Sequence, residues 1–402
     1  MRIRFWPEKK QRIRTAGGKW PGIRLFWLEL QKLCRIPALH VFVMLCIGFN
    51  LLLVTGSVYG EDEIACVRQA RELAGDRMGA DFSKKAAALP DSVQKEWLLN
   101  QTKDAADILE GYDTGRTAQQ IIKNFRIEGW AAEALQWKYQ RQSSRIRALI
   151  RRNASMDVGA AGMTTDLFDA LFTKLCRAIL AEGILLAVFT ALYLCRREYM
   201  ERTWQTVYTT KHGRRIQREK GFAGLLYAAA AYGMLAVVSC LIFAKAWQLG
   251  RIWDTDMATQ FYGIHYMGME LPFVPWADFQ MHSYLAAVLS LGLVLVVIFY
   301  MLGHLAGLMA KNTYTAFLTV LILAALRFEV VLLAGDAGKW GIYEAALWSP
   351  VMLWWSQPLW FSDMGIHAVV PWQECAVGAF CLLLSGVLLA LGYGYFCRKD
   401  LV

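Results

Sequence analysis

Two ionisable residues stand in the middle of long apolar runs. Glu182 lies in "ILAEGILLAVFTALYL" and Arg327 in "LTVLILAALRFEVVLLA". A charge at membrane depth is costly, so such residues face a partner, a water-filled path or a ligand. Glu182 is about 13 residues from the end of its run and Arg327 about 14 from the start of its own. At about 1.5 Å per residue, both sit roughly 20 Å from the same edge. Matching depth predicts a Glu182–Arg327 pair across the bundle, acting either as packing glue or as part of a path between helices. His304, in "GHLAG", is expected to hydrogen-bond a neighbouring helix.

Other chemistry lacks its residues. No G-x-x-x-x-G-K-[ST] loop is present to cradle ATP phosphates, and "LSGVL" at Leu384–Leu388 lies inside an apolar run where no nucleotide can sit. H-E-x-x-H, G-x-S-x-G and C-x-x-C are missing, and the nine cysteines have no zinc spacing. No catalytic residue, metal site or cofactor site is expected in the chain.

The elements that position Glu182 and Arg327 are six runs long enough to cross a bilayer as helices. They are Ala38–Val58, Leu175–Leu194, Phe222–Trp247, Tyr284–Ala310, Tyr314–Ala334 and Cys375–Cys397. With 56% hydrophobic residues and mean hydropathy +0.31, the sequence reads as an all-α integral membrane protein. Before the first run, residues 1–37 comprise a basic arm and an amphipathic helix, "IRLFWLELQKLCRIP". Phe26, Trp27 and Leu30 share its apolar face with Ile23 and Leu33, and the helix stops at Pro37. Residues 59–171 read as a domain of three or four helices, with breakers at Gly75, Pro90 and Gly111–Gly115. Residues 172–402 hold the other five runs. Within that region, the Trp-rich, Pro-broken stretch 347–365 is expected to form a re-entrant or interfacial hairpin.

Charge sets the expected orientation. Residues 1–37 carry ten Lys/Arg against two acids, and 196–220 carry eight against three, whereas 247–283 and 336–373 have one basic residue each. The positive-inside bias places both termini in the cytoplasm and 59–171 outside. The net charge of +10 then suits anionic lipid head groups, and nucleic acid is not an expected partner.

The basic connector 196–220 is longer than an orientation signal needs. Glu198 and Glu201 leave the second run three residues apart and are expected to point the same way. "TVYTTKHGRR" follows, with Gly213 able to supply a left-handed turn, and Lys220 leads into the next run. Glu198, Glu201, Thr203, Thr209, Thr210, Gly213, Arg214 and Lys220 together resemble the segment between the second and third spans of ABC-2-type (type V) ATP-binding-cassette permeases. The amphipathic helix before the first run resembles the elbow helix of that family, and the six-span plan agrees with it. The outer segment of more than 100 residues is longer than in many members.

That resemblance implies a bacterial cell-membrane exporter subunit without enzymatic activity of its own. Its coupling segment would dock on a separate cytoplasmic ATPase, which would hold ATP and Mg, and the permease would work as a homodimer or beside a related permease. Two other readings fit the sequence: a proton-coupled secondary transporter using Glu182, Arg327 and His304, and a membrane sensor or immunity protein binding a peptide through 59–171.

Overall fold

The computed structural model describes residues 21–103, 106–209, 213–248, 250–266, 269–310, 312–363 and 368–398. The basic arm 1–20, Thr210 and the last two residues of 347–365 lie outside them.

Among the described residues, six helices are long and apolar enough to cross a bilayer. A helix α1 (Pro21–Leu33) precedes the first crossing helix, α2 (Pro37–Thr55), which begins on a proline whose fixed φ suits a first helical turn. Four short helices and a longer one follow: α3 (Glu61–Ala74), α4 (Ala80–Ala86), α5 (Val93–Thr102), α6 (Thr114–Asn124) and the 22-residue α7 (Trp130–Arg151). Gly75, at φ +92°, ends α3, and Gly129, at φ +64°, separates α6 from α7. The Asp113 carboxylate caps α6 by accepting from the Gly115 and Arg116 amides.

The second crossing helix starts earlier than its hydropathy suggests. A short helix α8 (Thr164–Phe168) runs through a π-helical stretch, Asp169–Cys176, into α9 (Arg177–Met200). Hydropathy missed the first turns because Asp166, Asp169 and Lys174 interrupt the apolar run, although the helix continues through them. The remainder comprises α10 (Trp204–Tyr208), α11 (Ile216–Trp247), an antiparallel hairpin β1 (Gly263–Tyr266) and β2 (Met269–Pro272), α12 (Met281–Met309), α13 (Thr313–Asp336), α14 (Trp340–Leu347), α15 (Pro350–Trp355) and α16 (Gln373–Arg398).

Within the bundle, α9 is the most enclosed crossing helix, between α11 and α12. The "GHLAG" motif sets its closest approach. A Cβ on Gly303 would lie 3.2 Å from Val188 Cα, and one on Gly307 only 2.8 Å from Cys195 Cβ. Small residues four apart let two backbones meet where packing, not water exclusion, drives association. By contrast, α13 turns most of its apolar side chains outward.

At the opposite end from α1, the three long connectors fold together, so 59–171 is not a domain by itself. The Arg145 guanidinium, on α7, donates to the Pro275 carbonyl at 2.8 Å and pairs with Asp278 at 2.6 Å. Arg152 pairs with Asp256 at 2.6 Å, and the buried Lys138 ammonium with Asp363 at 2.5 Å. Basic residues of the first connector thus meet the acidic surplus of the second and third. Beneath them, Phe168 packs edge-on to Tyr262, and Phe172 to Tyr284, with ring centroids 4.8 Å apart in each pair.

The described part of the 347–365 stretch, up to residue 363, also packs into this assembly. Trp360 is fully buried and its carbonyl accepts from the Tyr284 hydroxyl. The Gln357 side chain donates to the Phe172 carbonyl at 3.0 Å. Trp354 and Trp355 lie against the Arg177 guanidinium. Its tryptophans are used for packing as well as for surface.

Glu344, on α14, gives this region a pH dependence. Burial pushes its carboxyl up to about 7, against the opposing effects of the Gln373 side chain and Lys138. A carboxyl raised on folding binds more protons in the folded state between its unfolded and folded values. Stability is therefore full below the unfolded value near 4.5 and falls as pH rises to about 7. The thermal midpoint is expected to drop between pH 5 and pH 7.5, and Glu344→Gln to flatten that slope. A slope unchanged by the substitution would assign the dependence elsewhere.

Candidate functional site

The connector 196–220 closes a polar knot at the end of the bundle that carries α1. Glu198 is buried on the last turn of α9 and pairs with Lys220, itself buried near the start of α11. The second Glu198 oxygen accepts from the Tyr208 hydroxyl and the Gln217 side chain, both at 3.4 Å. Gln217 also donates to the Tyr208 hydroxyl at 2.5 Å. Burial drives the Tyr208 hydroxyl well above its ordinary range, so it stays protonated as a donor. Four side chains from α9, α10 and α11 thereby bond one another out of solvent, as a buried charge pair requires, while the Gln217 Oε1 has no partner.

Glu198 and Glu201 do not point the same way. The helix ends at Met200, Arg202 turns the chain at φ +56°, and Glu201 lies outside, paired with Arg197 at 2.8 Å. Residues three apart differ by about 60° around a helix, and the burial boundary falls between these two. Thr203 opens α10 and accepts the Val207 amide on its carbonyl at 3.0 Å. The Thr209 hydroxyl bonds back to the Gln205 carbonyl at 2.7 Å.

Gly213 does not take the left-handed turn expected of it. It is needed because a Cβ there would overlap the Val207 carbonyl and backbone of α10. Close approach, not φ, demands the glycine. The next residue, Arg214, donates to the Cys397 carbonyl at 2.6 Å, completing the end of α16. Arg196 does the same for α12, donating to the Ala310 carbonyl at 3.0 Å while stacking on Tyr199. The connector is therefore fixed to the ends of α9, α11, α12 and α16 at once. Sequence reasoning missed Gln217, Tyr208 and Arg196. The signal for them was their polarity next to an apolar run.

The helix α1 packs on α11. Leu33 and Glu29 are buried, Phe26 and Leu30 are half-buried, and Trp27 is exposed. Glu29 pairs with Lys32 at 2.5 Å and acts electrostatically on Lys220. Hydrophobicity alone does not place that glutamate on the buried side.

The expected Glu182–Arg327 pair is not formed. Glu182 accepts from the Asn50 amide at 2.9 Å, and that amide also reaches Ser239 at 3.0 Å, joining α2, α9 and α11. Arg327 instead donates to the Ala345 carbonyl of α14 at 2.7 Å. Depth along the axis was matched, but rotation was not. α13 touches α9 through Phe317, whose ring stacks on Phe189 at 5.3 Å, while Arg327 faces α14. His304 meets Cys195 Sγ at 3.1 Å, a helix-to-helix contact within the α9–α12 seam.

Compared with known proteins, the chain matches no family model, no curated protein and no solved structure.

Proposed function

We propose that this chain is the membrane permease subunit of an ATP-driven exporter. It would act as a pair, two copies or one beside a related permease, with the connector end in the cytoplasm on separate ATPase subunits that hold ATP and Mg. One observation carries this reading. The short helix α10 and its flanks offer an exposed polar surface at Glu201, Arg202, Gln205, Thr206 and Thr209, while the connector that carries it is fixed to four crossing helices. A load applied to that surface passes into the bundle instead of being absorbed by a loop. An orientation signal alone needs only a few Lys or Arg and no such anchorage. In this reading α1 is the elbow helix, and the connectors at the far end form an extracytoplasmic domain.

The test is isolation of the full chain from native membranes followed by vanadate-sensitive Mg-ATP hydrolysis. Wild-type preparations are expected to retain a Walker-motif ATPase. The surface variant Gln205→Ala/Thr206→Arg is expected to lose at least about tenfold of that activity while keeping its thermal midpoint, since about 1.4 kcal/mol of lost contact is tenfold in affinity. Equal ATPase retention by the variant, or no ATPase in the wild type, would overturn the reading.

A further inference from the structure

We propose that the cavity between α12, α13 and α16 binds an anionic amphiphile, with its carboxylate or phosphate at Arg327 and its acyl chain along the apolar walls. The cavity measures about 490 Å³, within the range of small-molecule sites. Phe299 and Leu302 of α12, Leu323 of α13 and Leu388 of α16 contribute its walls, and Arg327 is the sole charged residue among its lining side chains. Thr319, Leu323 and Arg327 follow one another at intervals of four, a single stripe of α13. That stripe covers roughly 12 Å of helix axis from the guanidinium towards the connector end. The side chains that line the space below the charge are almost all apolar.

The charge itself calls for an anion. The Arg327 guanidinium donates a hydrogen bond to the Ala345 carbonyl, which offers no negative charge in return. Among the described residues no carboxylate pairs with it, and Glu182, the carboxyl at matching depth, accepts from Asn50 instead. A cation at this depth without a counter-ion is costly. Trp348 also lines the cavity and is 37% exposed. A neutral lipid would fill the walls and leave the guanidinium uncompensated. A small anion would do the reverse. An anionic head on an acyl chain satisfies both, and the site stands whether or not the chain is an exporter.

The full chain in neutral maltoside micelles, titrated with cis-parinaric acid, tests this. One saturable site per chain is expected, with the methyl ester binding at least about tenfold more weakly. Arg327→Gln should weaken the acid to the level of the ester, a loss in keeping with one charge-assisted hydrogen bond. Leu323→Trp, which fills the cavity without touching the charge, should abolish binding of both probes and gives a second readout should Arg327→Gln fold poorly. Displacement by phosphatidylglycerol and not by phosphatidylcholine would identify a bilayer lipid as occupant. Displacement by free fatty acids alone would identify a single-chain ligand. Equal affinity for acid and ester, an unchanged Arg327→Gln, or equal displacement by the two phospholipids would overturn the proposal.

Discussion

Replacing Lys220 with Met is expected to cost about 3–5 kcal/mol, the range for removing one partner of a buried ion pair. The Lys220 side chain is 2% exposed and its partner Glu198 is 10% exposed, so no water replaces the lost ammonium. Glu198 would be left with the Tyr208 hydroxyl and the Gln217 side chain at 3.4 Å, neither of them charged. Glu29, buried on α1 and already carrying an unpartnered carboxylate oxygen, would lose the second cation that compensates it. The loss should appear as a large drop in thermal midpoint in detergent and as easier proteolysis of 196–215. Lys220→Met combined with Glu198→Gln should recover most of the drop, because the uncompensated charge, not the missing bond, dominates the cost. Should the single variant keep the wild-type midpoint, the knot is not a buried ion pair, and the mechanical argument for 196–220 loses its anchor.

The sequence made the six crossing helices and the basic connector legible because both are one-dimensional signals. Apolar length and Lys/Arg counts need no knowledge of neighbours. Gly75 and the break near Gly111–Gly115 were readable for the same reason, since breakers act locally. Three things were not. The partner of Glu182 depends on helix rotation, which depth arithmetic leaves free, and the answer was an Asn in the first run. The role of Gly213 depends on how closely 213 approaches Val207, a distance set by Tyr208 packing edge-on to Phe396 of the last helix. The far-end domain depends on three connectors separated by crossing helices. Their opposite charge balances hinted at the assembly: 16 basic residues stand in 59–171, against the nearly base-free 247–283 and 336–373. Orientation rules treat that asymmetry as topology alone, and so hid it.

The strongest joint in that domain is Arg71, and Arg71→Met is expected to release the second connector from the first. Its side chain is 1% exposed. Nη1 donates to the Gly159 carbonyl and the Thr255 hydroxyl at 2.9 Å each, and reaches Asp157 at 3.3 Å, while Nε donates to Asp76 at 3.1 Å. One planar guanidinium thus fixes segments near residues 76, 157 and 255, which a point-charge lysine could not reproduce. Asp157 is buried and held raised by desolvation, with Arg71 the largest opposing influence. Without Arg71 its carboxylate protonates or goes uncompensated, so the cost again lies in the range of about 3–5 kcal/mol. Hydrogen exchange should read this as faster exchange over 153–160 and 250–260, with the α9–α12 seam unchanged because its Gly303 and Gly307 contacts do not involve the domain. Arg71→Lys should behave nearly as badly as Arg71→Met. If lysine restores wild-type protection, charge alone holds the connectors, and the multipoint geometry is dispensable.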